Sequence, residues 1–183
     1  MGDLFFTSDL HLGHINAISL CDRPFSDVQE MNERLIENIN NTVNENDTLY
    51  ILGDVSFRTK ADETAELLRR IHCKNLYLIK GNHDKDLSKY GIFKEIADYK
   101  EMRGPDKCKL VLFHYPITDW NGMYHGSVHL HGHIHSRGKD YNIKNLMNGR
   151  RQYDVGVDAN DFRPVNIDEI LAMMKNFEAD SVV

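Results

Sequence analysis

Apolar and polar positions follow one repeating unit along this chain. A short run rich in β-branched and aromatic residues gives way to His, Asp or Asn. Leu4-Phe5-Phe6-Thr7-Ser8 leads into Asp9-Leu10-His11, and Thr48-Leu49-Tyr50-Ile51-Leu52 into Gly53-Asp54. Leu76-Tyr77-Leu78-Ile79-Lys80 leads into Gly81-Asn82-His83-Asp84, and Leu110-Val111-Leu112-Phe113 into His114. Ser127-Val128-His129-Leu130 opens a stretch in which His129, His131, His133 and His135 take every second position. Runs of this length and composition predict strands. Five strands therefore deliver polar, ligand-type side chains at their carboxyl ends.

Helical periodicity fills the gaps. Ser26-Asp27-Val28-Gln29 reads as a capping box on Ser26 and Gln29. It opens a helix with the stripe Val28, Met31, Leu35, Ile36, Ile39 and Val43. A second helix is predicted from about Ala61 to Cys73, burying Leu67, Leu68 and Ile71. A third, capped by Asn166 and Glu169, carries Ile167, Ile170, Leu171, Met174 and Phe177. The early strand–helix–strand order implies right-handed parallel crossovers. The shorter spacings of the later half, with Tyr153–Val157 as a further strand, predict antiparallel or mixed sheet. The architecture expected is a two-sheet α/β sandwich with helices outside and a polar site at one rim.

Composition narrows the setting. A chain of 183 residues, 41% hydrophobic and 27% charged, is of a size for one soluble domain, 1–183, with 178–183 free to fray. The net charge of −6 comes from mixed signs and disfavours a face built to grip long nucleic acid. Cys21, Cys73 and Cys108 are odd in number and far apart, which fits neither a disulfide framework nor a C-x-x-C zinc site. With no basic–apolar leader after Met1 and no run long enough to span a membrane, a reducing cytoplasm is the expected location.

The histidine row sharpens the chemistry. It is internal and interrupted by Gly132, unlike a purification tag. A strand's period of two would send all four rings to one face. Neutral imidazole is the commonest transition-metal ligand. Together the strand ends offer Asp9, His11, Asp54, Asn82, His114, His133 and His135. That mixed N/O set suits Mn(II), Fe, Ni, Co or Zn and is too large for one tetrahedral ion. Two ions about 3.5–4 Å apart would use all seven. Asp54, after a Gly53 that permits a tight turn, can bridge them by giving one oxygen to each. Taken singly, each residue is equally a polar group at a strand end.

The blocks DLHLGH, LGDV, KGNHD, FHYP and HGHIH resemble the ordered signature of the calcineurin-like metallophosphoesterases: D-x-H, G-D, G-N-H-[D/E], H, G-H-x-H. All five fall in register within residues 9–135, and the short chain is similar to compact bacterial and phage-type members. The resemblance implies one metal held by Asp9, His11 and His135, a second by Asn82, His114 and His133, and Asp54 between them. His83 would be no ligand but the general acid for the leaving oxygen, with Asp84 holding its ring. It further implies in-line attack on phosphorus by a metal-bridging hydroxide, two divalent ions with Mn foremost, and a small phosphoester substrate, diester before monoester.

Other readings use the same residues. A nuclease or cyclic-nucleotide diesterase shares the chemistry, a catalytically silent protein-binding scaffold shares the fold, and a metal-storage protein shares the histidines. The complete ligand set speaks against the scaffold, and Asn82-His83-Asp84 against storage. Outside the ligand set, His14 and Arg23 are candidate phosphate contacts, with Arg58 a weaker one. Trp120, in the loop from Tyr115 to Gly126, either floors an aryl group or packs the loop. His129 and His131, before Gly132, read as sheet histidines or as donors behind the metal ligands.

Overall fold

A computed structural model describes residues 2–135 and 140–180. Its strands are β1 (Leu4–Thr7), β2 (Thr48–Ile51), β3 (Asn75–Ile79), β4 (Glu95–Ala97), β5 (Tyr99–Arg103), β6 (Lys109–Phe113), β7 (Val128–His131), β8 (Gln152–Asp154) and β9 (Val165–Asn166). Its helices are α1 (Asn16–Leu20), α2 (Val28–Thr42), α3 (Ala61–Leu68), α4 (Asp140–Met147) and α5 (Ile167–Asp180). The strands form two sheets, in the orders β4-β3-β2-β1-β9 and β5-β6-β7-β8. In the first, β1 to β4 are parallel and β9 joins antiparallel; in the second, β5 is antiparallel and β6 to β8 are parallel. This is the expected two-sheet α/β sandwich.

Strand alternation builds two cores. Phe5, Leu49, Ile51, Leu76 and Leu78 turn towards α2 and α3. Their neighbours Phe6, Tyr50, Leu52 and Ile79 face the second sheet, meeting Leu110, Leu112, Val128, Leu130 and Val155, with Ile167, Ile170 and Met174 of α5. A one-residue slip would exchange those sets, so the register is fixed from both sides. The inner ends of the sheets touch through a parallel bridge between Ser8 and Gly156. Carboxyl ends of parallel strands thereby gather at one rim, where sites form in open α/β sheets.

Local details depart from expectation in three places. The α2 cap is Asp27, whose Oδ1 accepts from the N–H groups of Gln29 and Glu30 at 2.9 and 2.8 Å. Glu30, not Gln29, reaches back, taking the N–H and hydroxyl of Ser26 at 2.7 and 2.6 Å. The box is shifted by one residue because aspartate, already extended at φ −154°, outcompetes serine for two amide donors. Helix α3 stops at Leu68, with Ile71 buried beyond its end. Finally, α1, α4 and the strands β4, β5 and β9 carried no predicted element. The expected frayed tail is only partly described: α5 runs to Asp180, and 181–183 lie outside the described residues.

Asp27→Ala should lower unfolding free energy by about 1 kcal/mol in a urea titration, and Ser26→Ala by clearly less. Equal losses would return the cap to Ser26.

Candidate metal centre

The rim is built from corners. Strands β1, β2 and β7 each end in a turn that throws the next polar side chains inward, and the backbone records the bend. Asp9, His11, Asp54, His133 and His135 have φ of 57°, 51°, 53°, 73° and 45°, and Gly53 has 90°. Non-glycine residues seldom adopt this left-handed region, although Asp and His tolerate it better than most. Five of the seven predicted ligands therefore sit in strained backbone, and such strain clusters at functional sites.

Side chains from both sheets meet there. Donor atoms of Asp9, His11 and His135 lie within 4.8 Å of one another, as do those of Asp54, His114 and His133. Asn82 joins the second group, its Oδ1 lying 3.1 Å from His114 Nε2. Asp54 is central: Oδ2 is 3.7 Å from His11 Nε2, 3.6 Å from His114 Nε2 and 3.9 Å from His83 Nε2. Its other oxygen accepts the His83 main-chain N–H at 3.0 Å. One oxygen, not two, therefore faces both groups of donors.

Proton bookkeeping tests whether cations fit. His114 Nδ1 lies 2.8 Å from the Leu52 carbonyl, which only accepts, so that nitrogen carries the hydrogen. Its Nε2 then points a lone pair at Asn82 and Asp54. His135 Nδ1 likewise donates to Asp158 at 2.7 Å, leaving its Nε2 3.1 Å from that of His11. Asp9 Oδ1 is buried with no hydrogen-bond partner, while Oδ2 accepts from Ser8 and from the His133 N–H at 2.6 and 2.9 Å. At His114, Asn82, Asp54 and Asp9 acceptor faces acceptor, an arrangement that positive charge resolves; between His11 and His135 the proton held on His135 supplies that charge when no metal is bound. The residues fit divalent ions.

Titration follows from the same crowding. Burial raises the Asp9 carboxyl to about 6, against the opposing pull of His135 and His114. Burial, with His135 and Arg23 beside it, lowers His11 to about 2. His135 is pulled down by burial yet held up at about 10 by Asp158, Cys21 and Asp9.

Two further predicted residues have other partners. Asp84 does not hold the His83 ring: its carboxylate accepts from the main-chain N–H groups of Asp54, Val55 and Gly81 at 2.9, 2.8 and 2.8 Å. It locks the Gly53-Asp54 turn. Arg23 is not placed to grip a phosphate. Its side chain is fully buried and all five of its N–H groups are engaged. Nε and Nη2 hold Asp158 at 2.8 and 2.9 Å, Nη1 reaches Leu10 O at 3.0 Å and Met31 Sδ at 3.5 Å, and Nη2 reaches Asp9 O at 2.7 Å.

A calcineurin-like phosphoesterase family model matches residues 3–171. The chain belongs to that family. An uncharacterized protein of Methanocaldococcus jannaschii is 34% identical, over 96% of this chain and 93% of its own. The gene 66 protein of Mycobacterium phage D29 is 30% identical, over 97% of this chain and 98% of its own. A crystal structure of an Aquifex aeolicus protein of unknown function superposes with a TM-score of 0.72 at 26% identity, covering 94% of this chain and 100% of that one. Metal-dependent phosphoester hydrolysis is the chemistry of this family, and the donor groups above are its candidate metal ligands.

Beside the donors lies a cavity of about 360 Å³, lined in part by His14, Leu20, Phe57, His83 and Ile134. His14 is placed there as expected, with burial lowering its pKa. Phe57 was not a predicted site residue; its ring lies 4.0 Å from that of His83 and 4.6 Å from that of His14. Arg58 stands over the same ring at 5.2 Å. Asp158 was also missed, although it directly follows the strand-like run Tyr153–Val157 in the same grammar as Asp9. Trp120 packs its loop: it is buried, donates to Ser127 Oγ at 3.0 Å and lies tilted against the His129 ring at 5.4 Å.

Arg23→Met would leave Asp158 and two carbonyls buried without their donor, an expected loss of about 3–5 kcal/mol in urea unfolding. A loss under about 1 kcal/mol would return Arg23 to the surface.

Proposed function

We propose that this phosphoesterase is a dinuclear phosphodiesterase acting on small substrates. Asp9, His11 and His135 would hold one divalent ion and Asn82, His114 and His133 the other, with Asp54 Oδ2 facing both groups of donors. The observation that carries this reading is the position of that single oxygen, 3.6–3.7 Å from an imidazole nitrogen of each group. When bound, the ions supply Lewis acidity, drawing charge from phosphoryl oxygens and acidifying water. Mixed nitrogen and oxygen donors without thiolate in either group favour Mn(II), with Fe, Ni, Co or Zn as other occupants.

The chain's own residues do the rest. His83 lines the cavity, with one-third of its side chain open to solvent and Nε2 directed at the centre. That nitrogen gives its proton to the departing ester oxygen. Phe57 fixes the ring plane, and the Asp54 carboxylate holds the His83 main chain. His14, kept neutral by burial, offers one N–H to a phosphoryl oxygen. A cavity of about 360 Å³ suits a small diester better than a macromolecule. Three free cysteines accord with a cytoplasmic location.

Mn(II)-loaded protein should hydrolyse a bis-aryl phosphate diester and lose that activity to chelator. His83→Ala should cut turnover by about 10²–10⁴ with both ions retained. Silence on diesters and monoesters alike, in protein holding two ions, would instead mark a protein-binding scaffold.

Metal uptake should also depend on pH. With Asp9 at about 6, above its ordinary 3.8, the proton on this group stabilises the metal-free fold at low pH, and that contribution is lost as pH rises through 6. Ions need both the Asp9 carboxylate and an unprotonated His135 Nε2, so Mn(II) affinity should fall with pH below about 10 and fall more steeply below about 6. Calorimetric titrations across that range test it; a profile with no steepening near 6 would remove Asp9 from the ligand set.

A further inference from the structure

A third cluster adjoins the two described. Cys21 Sγ, a His135 ring nitrogen and an Asp158 oxygen lie within 4.8 Å of one another. The sulfur is 3.4 Å from His135 Nδ1, and that same nitrogen is 2.7 Å from Asp158 Oδ2. Cys21 caps the end of α1, is half-buried, and lines the 360 Å³ cavity, so an ion entering the catalytic mouth reaches it directly. Among the described residues, neither other thiol has such company. Cys73 is buried against the Asp47 carbonyl, and Cys108 faces the carbonyls of Lys109 and Gly126.

We propose that Cys21, His135 and Asp158 form a third metal site, selective for a thiophilic divalent ion such as Zn(II) or Cd(II), that inhibits the enzyme. Thiolate, imidazole and carboxylate are the donors zinc takes, at about 2.0–2.3 Å, and three protein donors leave a fourth position open to the cavity. Tetrahedral bonds of that length separate donors by roughly 3.3–3.7 Å, so the thiol–imidazole spacing already suits and the carboxylate must withdraw by several tenths of an ångström. The bound ion forms one bond each to sulfur, Nδ1 and Asp158 Oδ2, and the Nδ1–Oδ2 hydrogen bond breaks. The thiol proton and the Nδ1 proton leave to solvent, so the two charges brought in are matched by the two released. Asp158 keeps its second oxygen on Arg23 Nε. Hard ions such as Mn(II) prefer the oxygen-richer neighbours and leave the thiol alone.

Inhibition follows from the shared imidazole. His135 presents Nε2 to the Asp9–His11 group and Nδ1 to the new site. An ion on Nδ1 replaces the hydrogen bond to Asp158 that orients the ring, and disturbing such a partner weakens metal binding. This consequence rests on the dinuclear reading; the site itself does not.

The test uses the Mn(II)-loaded full chain with Cd(II) as probe, following the ultraviolet sulfur-to-cadmium charge-transfer band. One thiolate-bound cadmium per chain is expected in the wild type and in Cys108→Ser, and none in Cys21→Ser. A band that persists in Cys21→Ser, or is missing from the wild type, overturns the site. A cadmium-113 resonance in the mixed sulfur–nitrogen–oxygen range supports the same assignment without any variant, and an all-nitrogen–oxygen shift overturns it. Turnover gives the second arm: Cys21→Ser should need at least roughly tenfold more Zn(II) for half-inhibition. Equal sensitivity overturns the inhibitory role. Because the spectra need no turnover, loss of the phosphoesterase reading and loss of this site remain distinguishable.

Discussion

The Nε2 atoms of His11 and His135 stand 3.1 Å apart, and one Asp54 oxygen lies 3.6–3.9 Å from three imidazoles. Buried nitrogens and oxygens this close are denied water and cohere only around positive charge, whether the proton that His135 carries up to about pH 10 or a divalent ion. That requirement reaches into the backbone. Left-handed φ at a non-glycine residue costs on the order of 1–3 kcal/mol, and five ligands adopt it. The sum is comparable with the whole net stability of a typical domain, about 5–15 kcal/mol. Ion binding is a source of free energy large enough to offset it. Asp and His are also among the side chains that tolerate this region best, so the residues that bind metal are those the corners can hold.

Arg23 shows how a buried ion pair serves geometry more than stability. Exchanging such a pair for well-packed apolar groups is often neutral in energy, so its value lies in direction. The guanidinium donates to the carbonyls of Asp9 and Leu10, which fixes the corner from which Asp9 and His11 project. Through Asp158 it also holds His135 Nδ1 and so turns Nε2 towards the centre. One cation thus aligns ligands from chain segments more than a hundred residues apart.

The strands and their ligands were legible because both are local facts: a period-two apolar run, then a polar residue at its end. What stayed hidden depends on partners elsewhere in the chain. Helix α4 has only Asn142 and Leu146 buried, so no apolar stripe announces it. Strands β4 and β5 lie on sheet edges and are rich in Glu, Lys and Arg, the charges that edges use against unwanted pairing. An arginine before Pro-Phe looks the same in sequence whether it clamps substrate or is buried against Asp158. Asp84 sits beside His83 in the chain, yet its carboxylate belongs to the turn across from it, and adjacency misled.

The histidine row separates for a related reason. Period two would aim four rings at one face, and His129 and His131 do stack, fully buried, at 5.3 Å. Burial lowers both to about 4, so they remain neutral; His131 Nδ1 donates to the Gly132 carbonyl, and the single N–H of His129 serves one of the two carbonyls it faces, Val111 or Tyr115. Gly132 then ends the strand where the sheets touch: a Cβ there would lie 2.0 Å from Ser8 Oγ and 2.2 Å from Asp9 Oδ2. Only glycine lets the main chain come near enough for the His133 N–H to reach Asp9. With left-handed φ at both His133 and His135, the first ring swings to His114 at 5.1 Å and the second to His11 at 4.9 Å. The two halves of the centre are populated from one tripeptide because its backbone reverses twice, and the close approach at Gly132 is what allows the first reversal.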